Sequence, residues 1–145
     1  MRYVTVFNLF LRMEGFAVTK TNYNLASNST TAQISSYLNA DDNINISATL
    51  NNISAMLTIG SDANYPSIVL LSGGAISGGV IKDYGSGFQA SGGTLSGVTY
   101  EGALDLTPSS SSVTIVGGLT ATGANGSGPG VINVGQYSSL TFDDT

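Results

Sequence analysis

Two stretches of this chain nearly copy each other. Leu71-Ser-Gly-Gly-Ala-Ile-Ser-Gly-Gly-Val80 is followed by Ala90-Ser-Gly-Gly-Thr-Leu-Ser-Gly-Val-Thr99, which begins nineteen residues later. Each sets one aliphatic residue, Ile76 and then Leu95, between glycine-serine turns. Short apolar runs that return at a period near twenty are what a chain shows when it winds into stacked coils of strand. A single coil has nothing to bury its apolar face against, so the next coil must serve as its lid. The repeat therefore speaks to shape; it names no substrate.

Composition agrees with stacking. Over 145 residues, apolar side chains make up 41%, enough for a core, while charged side chains make up only 9%, against about 25% in ordinary soluble domains. Neutral polar side chains tolerate their own kind one strand away, whereas like charges repel there. The net charge is −5, and Arg2, Arg12, Lys20 and Lys82 are the only basic residues. No basic patch is present to neutralise a phosphate backbone, so nucleic-acid binding is excluded as a main role. The chain has no cysteine and no histidine. That removes disulfides, thiolate metal sites, Ser-His and Cys-His nucleophiles and most zinc chemistry.

The chain divides near residue 43. Residues 3–11 follow Arg2 and have the apolar character of a signal-peptide core. They are broken by Asn8, followed by Arg12 and Glu14, and lack a clear small-residue cleavage site, so they read instead as a buried first strand or as a translation start placed inside a longer gene. Residues 16–23 read as a second strand after the break at Glu14-Gly15. Thr30 or Thr31 then caps a short helix over 32–38, with Ile34 and Leu38 on one face. From Ile44 onward, runs of three to five residues alternate with Gly, Ser, Asn or Pro turns. No run is long enough to span a membrane as a helix.

The expected fold is all-β: a right-handed parallel β-helix (solenoid) with one short N-terminal helix. Residues 1–43 form N-terminal strands and the capping helix, and residues 44–145 form about four to five coils of one continuous domain. Taking Ile59, Ile76, Leu95, Leu119 and Leu140 as equivalent core positions gives spacings of 17, 19, 24 and 21 residues. A β-sandwich is the alternative, but it prefers longer strands and hairpin turns, and Asn125-Gly126 is the only strong hairpin dipeptide. Laying the two copied stretches together without a gap sets Lys82 over Glu101, a favourable pair; a gap at Gly79 would set Lys82 over Tyr100 instead. The ungapped register is preferred.

Three segments carry a resemblance. Ser91-Gly-Gly-Thr-Leu-Ser-Gly-Val-Thr-Tyr-Glu-Gly-Ala-Leu-Asp-Leu106 and Val113-Thr-Ile-Val-Gly-Gly-Leu-Thr-Ala-Thr-Gly-Ala-Asn-Gly-Ser-Gly-Pro-Gly-Val-Ile-Asn-Val134 resemble the repeats of large bacterial surface adhesins and autotransporter passenger domains. Thr31-Ala-Gln-Ile-Ser-Ser-Tyr-Leu-Asn-Ala-Asp-Asp-Asn-Ile-Asn-Ile46 is similar to the helix-then-strand opening of filamentous-haemagglutinin-like proteins. The resemblance covers about residues 30–145 and rests on repeat style. It implies a secreted or surface-displayed β-helix and brings no catalytic residues with it. The chain departs from that family in size, since those proteins run to many more coils, and so reads as a fragment or a truncated gene product; surface glycans or proteins are its expected partners.

Candidate sites are few. Lys82, Asp83, Glu101 and Asp105 are the only charged residues brought close by coil stacking, and a polysaccharide lyase or hydrolase, the rival reading, would have to work with them. Tyr65, Tyr84, Tyr100 and Tyr137 recur at spacings that can line one side of a solenoid, where exposed rings stack on sugars. Tyr84, Tyr100, Lys82 and Glu101 are therefore the expected ligand-facing residues. Asp41-Asp42 and Asp143-Asp144 read as turn chemistry. The glycine pairs are not followed by Asp, so the calcium-binding coil repeat is not met, and no metal, cofactor or catalytic residue is expected. Thr120-Ala-Thr122 has the form of an ice-binding pair but occurs once. Open solenoid ends make self-association into a fibre the third reading.

Overall fold

The computed structural model of the chain describes residues 4–7, 21–40, 42–60 and 64–144. It is a parallel β-solenoid of about five turns. Most coils turn through three short strands, and glycine, serine or asparagine makes the corners. Such corners suit these residues because several need positive φ.

The first coil holds β2 (Asn22–Leu25), β3 (Ser29–Thr30) and the helix α1 (Thr31–Ile34), which tightens into a 3-10 turn over Ser35–Tyr37. Preceding it, β1 (Val4–Phe7) pairs antiparallel with β2. The second coil is β4 (Asn43–Ile46), β5 (Thr49–Asn51) and β6 (Met56–Ile59). The third is β7 (Ser67–Leu71), β8 (Ala75–Ser77) and β9 (Val80–Asp83). The fourth runs almost unbroken through β10 (Phe88–Glu101) and adds β11 (Ala103–Leu106). The fifth repeats it as β12 (Ser112–Thr122) and β13 (Val131–Val134), and β14 (Ser139–Asp143) begins the next.

Every pairing between successive coils is parallel, and residue stacks on like residue. One core column is Tyr23, Ile44, Ile68 and Phe88; a second is Leu25, Ile46, Leu70 and Ala90. A third is Leu50, Ile76, Leu95, Ile115 and Phe142, and a fourth is Leu57, Ile81, Tyr100 and Ala121. Burying each such aliphatic side chain contributes about 1.5–3 kcal/mol. Outward positions stack too: Asn43 Nδ2 donates to Asn22 Oδ1 at 3.0 Å and Asn45 Nδ2 to Asn24 Oδ1 at 2.8 Å.

The column expected from the spacings is right at Ile76 and Leu95 and wrong elsewhere. Ile59 lies opposite Asp83, Leu119 opposite Val98 and Leu140 opposite Val113. Each coil has more than one inward face, so a single list of apolar residues mixes columns. The true third column also steps unevenly, by 26, 19, 20 and 27 residues, because the corners differ in length.

The ungapped register holds through the copied stretches. Thr94, Leu95 and Ser96 lie over Ala75, Ile76 and Ser77, and Glu101 lies over Lys82. Glycine is required within both copies. At Gly79, with φ +68°, an added Cβ would overlap the Asn52 carbonyl oxygen; at Gly93, with φ +127°, it would lie 2.7 Å from Leu71 O.

The short helix is present, over a shorter span than 32–38. Thr30 is its cap: the Thr30 hydroxyl accepts from the Gln33 N–H at 3.3 Å and Gln33 Oε1 accepts from the Thr30 N–H at 2.8 Å. This reciprocal box stabilises a helix too short to hold itself. Ile34 is buried in the core and Leu38 packs against it. Of the first expected strand pair, residues 3 and 8–11 and most of 16–23 lie outside the described residues; the described strands are β1 and β2. Asn125-Gly126 does make a tight turn, closed by Gly126 N–H to Gly123 O at 2.9 Å and by an antiparallel bridge from Thr122 to Pro129.

Candidate functional site

Strand alternation sorts the residues at the ends of β9 and β10. Ile81, Asp83, Val98 and Tyr100 turn inward; Lys82, Thr99 and Glu101 turn outward. Because coil lies over coil, Lys82 and Glu101 meet: Nζ is 3.6 Å from Oε2, with both side chains part-buried. A pair of this kind contributes no more than about 1 kcal/mol, so its meaning lies in position. Its Nζ also stands 5.5 Å from the centre of the Tyr84 ring, within cation–π range.

Tyr84 follows β9 at the corner. Its N–H donates to Ile59 O at 2.9 Å, and one coil earlier the Tyr65 N–H donates to Gly60 O at 3.0 Å. These bonds set the rings parallel, 5.2 Å apart with planes 15° from each other. Tyr65 is 39% exposed and Tyr84 47% exposed. On the other side, the Asn125-Gly126 turn approaches so closely that a Cβ on Gly126 would lie 2.7 Å from Glu101 Oε1. The result is a strip of two tyrosine rings, an ammonium and a carboxylate, carried on rigid coils.

Tyr100 does not belong to that strip. It is 0% exposed, so it does not face a ligand as the spacing of tyrosines suggested. Its ring meets Phe88 edge-on at 5.9 Å, and its hydroxyl donates to Asp83 Oδ2 at 2.6 Å. Burial, with the Asp83 charge and this hydrogen bond behind it, pushes the Tyr100 hydroxyl well above the ordinary tyrosine value. The other Asp83 oxygen accepts from the Gly85 N–H at 2.8 Å. Buried Tyr and Asp thus satisfy each other and fix the corner that carries Tyr84.

The remaining acids are separate. Asp105 is exposed and accepts from the Thr107 N–H at 3.0 Å. Asp42 is buried, and neither of its carboxyl oxygens has a hydrogen-bond partner among the described residues; Asp41 lies outside them. No group of three or more His, Cys, Asp or Glu gathers to hold a metal among the described residues. Two shallow hollows, of about 290 and 270 Å³, are lined by Asn28, Thr30, Gln33, Thr49 and Asn51, and by Gln89, Ser91 and residues 108–111; neither lining includes an ionisable side chain. No helix among the described residues is long and apolar enough to cross a membrane.

Two features escaped the sequence reading. One is the Asp83–Tyr100 pair, signalled by the alternation of Val98 and Tyr100 with Thr99 and Glu101. The other is Asn52, fully buried: Oδ1 accepts from Thr31 Oγ1 at 2.7 Å, while Nδ2 donates to Gly78 O at 3.2 Å and Val80 O at 3.0 Å. One amide thereby ties three coils together. Compared with protein-family models, curated proteins and solved structures, the chain matches none.

Proposed function

We propose that this chain is a non-catalytic, adhesin-like display scaffold, a segment of a secreted or surface-displayed bacterial protein. On this reading the strip of Tyr65, Tyr84, Lys82 and Glu101 meets a surface glycan. The stacked tyrosine pair beside a charged pair is the observation that carries it. Exposed aromatic faces cover the apolar face of a sugar ring, while an ammonium and a carboxylate hydrogen-bond its hydroxyls. The coils hold both tyrosines in place before binding, so little ordering entropy is lost. The acids near the strip are engaged in structure: Glu101 with Lys82, Asp83 with Tyr100 and Gly85. That engagement supports display over catalysis. The solenoid fold itself fits either role.

Affinity electrophoresis against neutral and acidic polysaccharides tests this. The intact chain is expected to be retarded by at least one, with Tyr84→Ala weakening retention about tenfold and Tyr65→Ala less, by analogy with aromatic anchors elsewhere. Retention indifferent to both substitutions would remove the strip from the role. Release of new reducing ends, abolished by Glu101→Gln, would establish the enzyme instead.

A further inference from the structure

Tyr65 and Tyr84 occupy the same corner of consecutive coils, the first between β6 and β7 and the second between β9 and β10. Backbone contacts hold them there. Gly60, with φ +136°, lies so close to Tyr84 that an added Cβ would come within 2.9 Å of the Tyr84 backbone N and Cβ. The same Gly60 takes the Tyr65 N–H on its carbonyl oxygen, and Ile59 takes the Tyr84 N–H. One short stretch of the second coil therefore seats both rings, parallel and 5.2 Å apart, and both are open to solvent. The other described tyrosines differ. Tyr100 is shut in the core against Phe88 and Asp83. Tyr137 is more exposed, at 80%, but stands two coils further along the axis. Two accessible phenols in ring-to-ring contact are an arrangement for oxidative coupling.

We propose that Tyr65 and Tyr84 are a covalent modification site, where a haem peroxidase working on hydrogen peroxide joins the two rings by a carbon–carbon bond. Each phenol gives one electron and its hydroxyl proton to the oxidant and becomes a neutral radical. The Lys82 ammonium, 5.5 Å from the centre of the Tyr84 ring, disfavours leaving a positive charge there, so the proton departs with the electron. Spin in a phenoxyl radical lies on the oxygen and on the ortho and para carbons, and the para carbon is blocked by Cβ. The two radicals therefore couple ortho to ortho, and each ortho hydrogen returns to an oxygen to restore a phenol. In sum, two tyrosines and one hydrogen peroxide give one dityrosine and two waters. Contact makes the coupling internal: an effective concentration of about 1 mM or more outruns encounter with a second chain at about 1 µM by about a thousandfold. The bond ties the corner of the second coil to that of the third and restrains the unfolded chain, as any cross-link does. This inference does not rest on the strip meeting a glycan.

Treating the intact chain at about 1 µM with a haem peroxidase and hydrogen peroxide tests the proposal, read by dityrosine fluorescence, intact mass and peptide mapping. The expected product is a single chain lighter by two hydrogens, with residues 65 and 84 in one cross-linked peptide pair. Tyr65→Phe and Tyr84→Phe are each expected to lower this internal product at least tenfold, and Tyr137→Phe to leave it unchanged. Both substitutions lie at exposed positions and keep a ring for a sugar to stack on, so loss of the cross-link and loss of polysaccharide retention are separate results. In concentrated urea, where the rings are no longer held together, the 65–84 link is expected to disappear. Absence of dityrosine from the folded chain overturns the proposal. So do cross-links that form only between chains, an internal link mapped to other tyrosines, or an equal yield of the 65–84 link in buffer and in urea.

Discussion

Tyr100 keeps its hydroxyl inside the coil, where only Asp83 receives it. Its pKa is raised by burial first and by Asp83 second, and that has a defined consequence for stability. Below the unfolded tyrosine value of about 10, both states hold the proton and the contribution is constant. Above it the unfolded chain releases the proton and the folded chain does not, so stability falls by about 1.4 kcal/mol per pH unit until the folded pKa is reached. Tyr100→Phe is expected to cost about 1–3 kcal/mol at pH 7, because Asp83 Oδ2 loses its donor in a buried place. It is also expected to lack one tyrosine's share of the alkaline loss. Urea unfolding at neutral and alkaline pH compares the two proteins, and equal alkaline slopes would show that Tyr100 is not the group responsible. At this scale the sequence was legible where two features agreed. Lys82 over Glu101 followed from an ungapped copy that also aligned Ile76 with Leu95. Spacing groups Tyr100 with the other tyrosines, but its place between Thr99 and Glu101 turns it inward.

Corners between strands, more than strands, decide how well successive coils agree. Asn52 stands at the corner between β5 and β6 and binds Thr31 above and Gly78 and Val80 below through donors and an acceptor that only an amide supplies together. Asn52→Asp keeps the shape but sets a carboxylate against two carbonyl oxygens. The variant is expected to be destabilised by about 2–4 kcal/mol at pH 7 and to recover in part under mild acid, when a protonated carboxyl can donate once. Asn52→Ala is expected to show no such recovery. Thermal melts of both variants across pH separate the two, and parallel pH profiles would mean that the amide donors are not what matters. Nothing in the sequence marked Asn52, because its burial depends on the helix that follows Thr30 and on the Gly78-Gly79 corner a coil later. The helix was legible from Thr30, Ile34 and Leu38, since capping is a local signal. The core columns were legible only in part: Ile59, Leu119 and Leu140 are as apolar as Leu50 and Ile115, and the alternation that marks each as inward does not tell which inward face it belongs to.

For the whole molecule, stacking makes stability a property of neighbours. A residue in a middle coil is packed from both sides along the axis, whereas one in the end coil is packed from one side. The third column offers a direct comparison, because Ile76 and Phe142 occupy equivalent positions in it. Ile76 is fully buried between Leu50 and Leu95. Ile76→Ala is expected to cost about 2–5 kcal/mol, the transfer of the lost carbons plus the cavity they leave in a core that cannot close from either side. Phe142→Ala deletes a larger side chain yet is expected to cost under about 1 kcal/mol, since the ring is 59% exposed where it lies over Ile115. Urea unfolding measures both. Equal costs at the two positions would mean that packing along the axis does not set the difference.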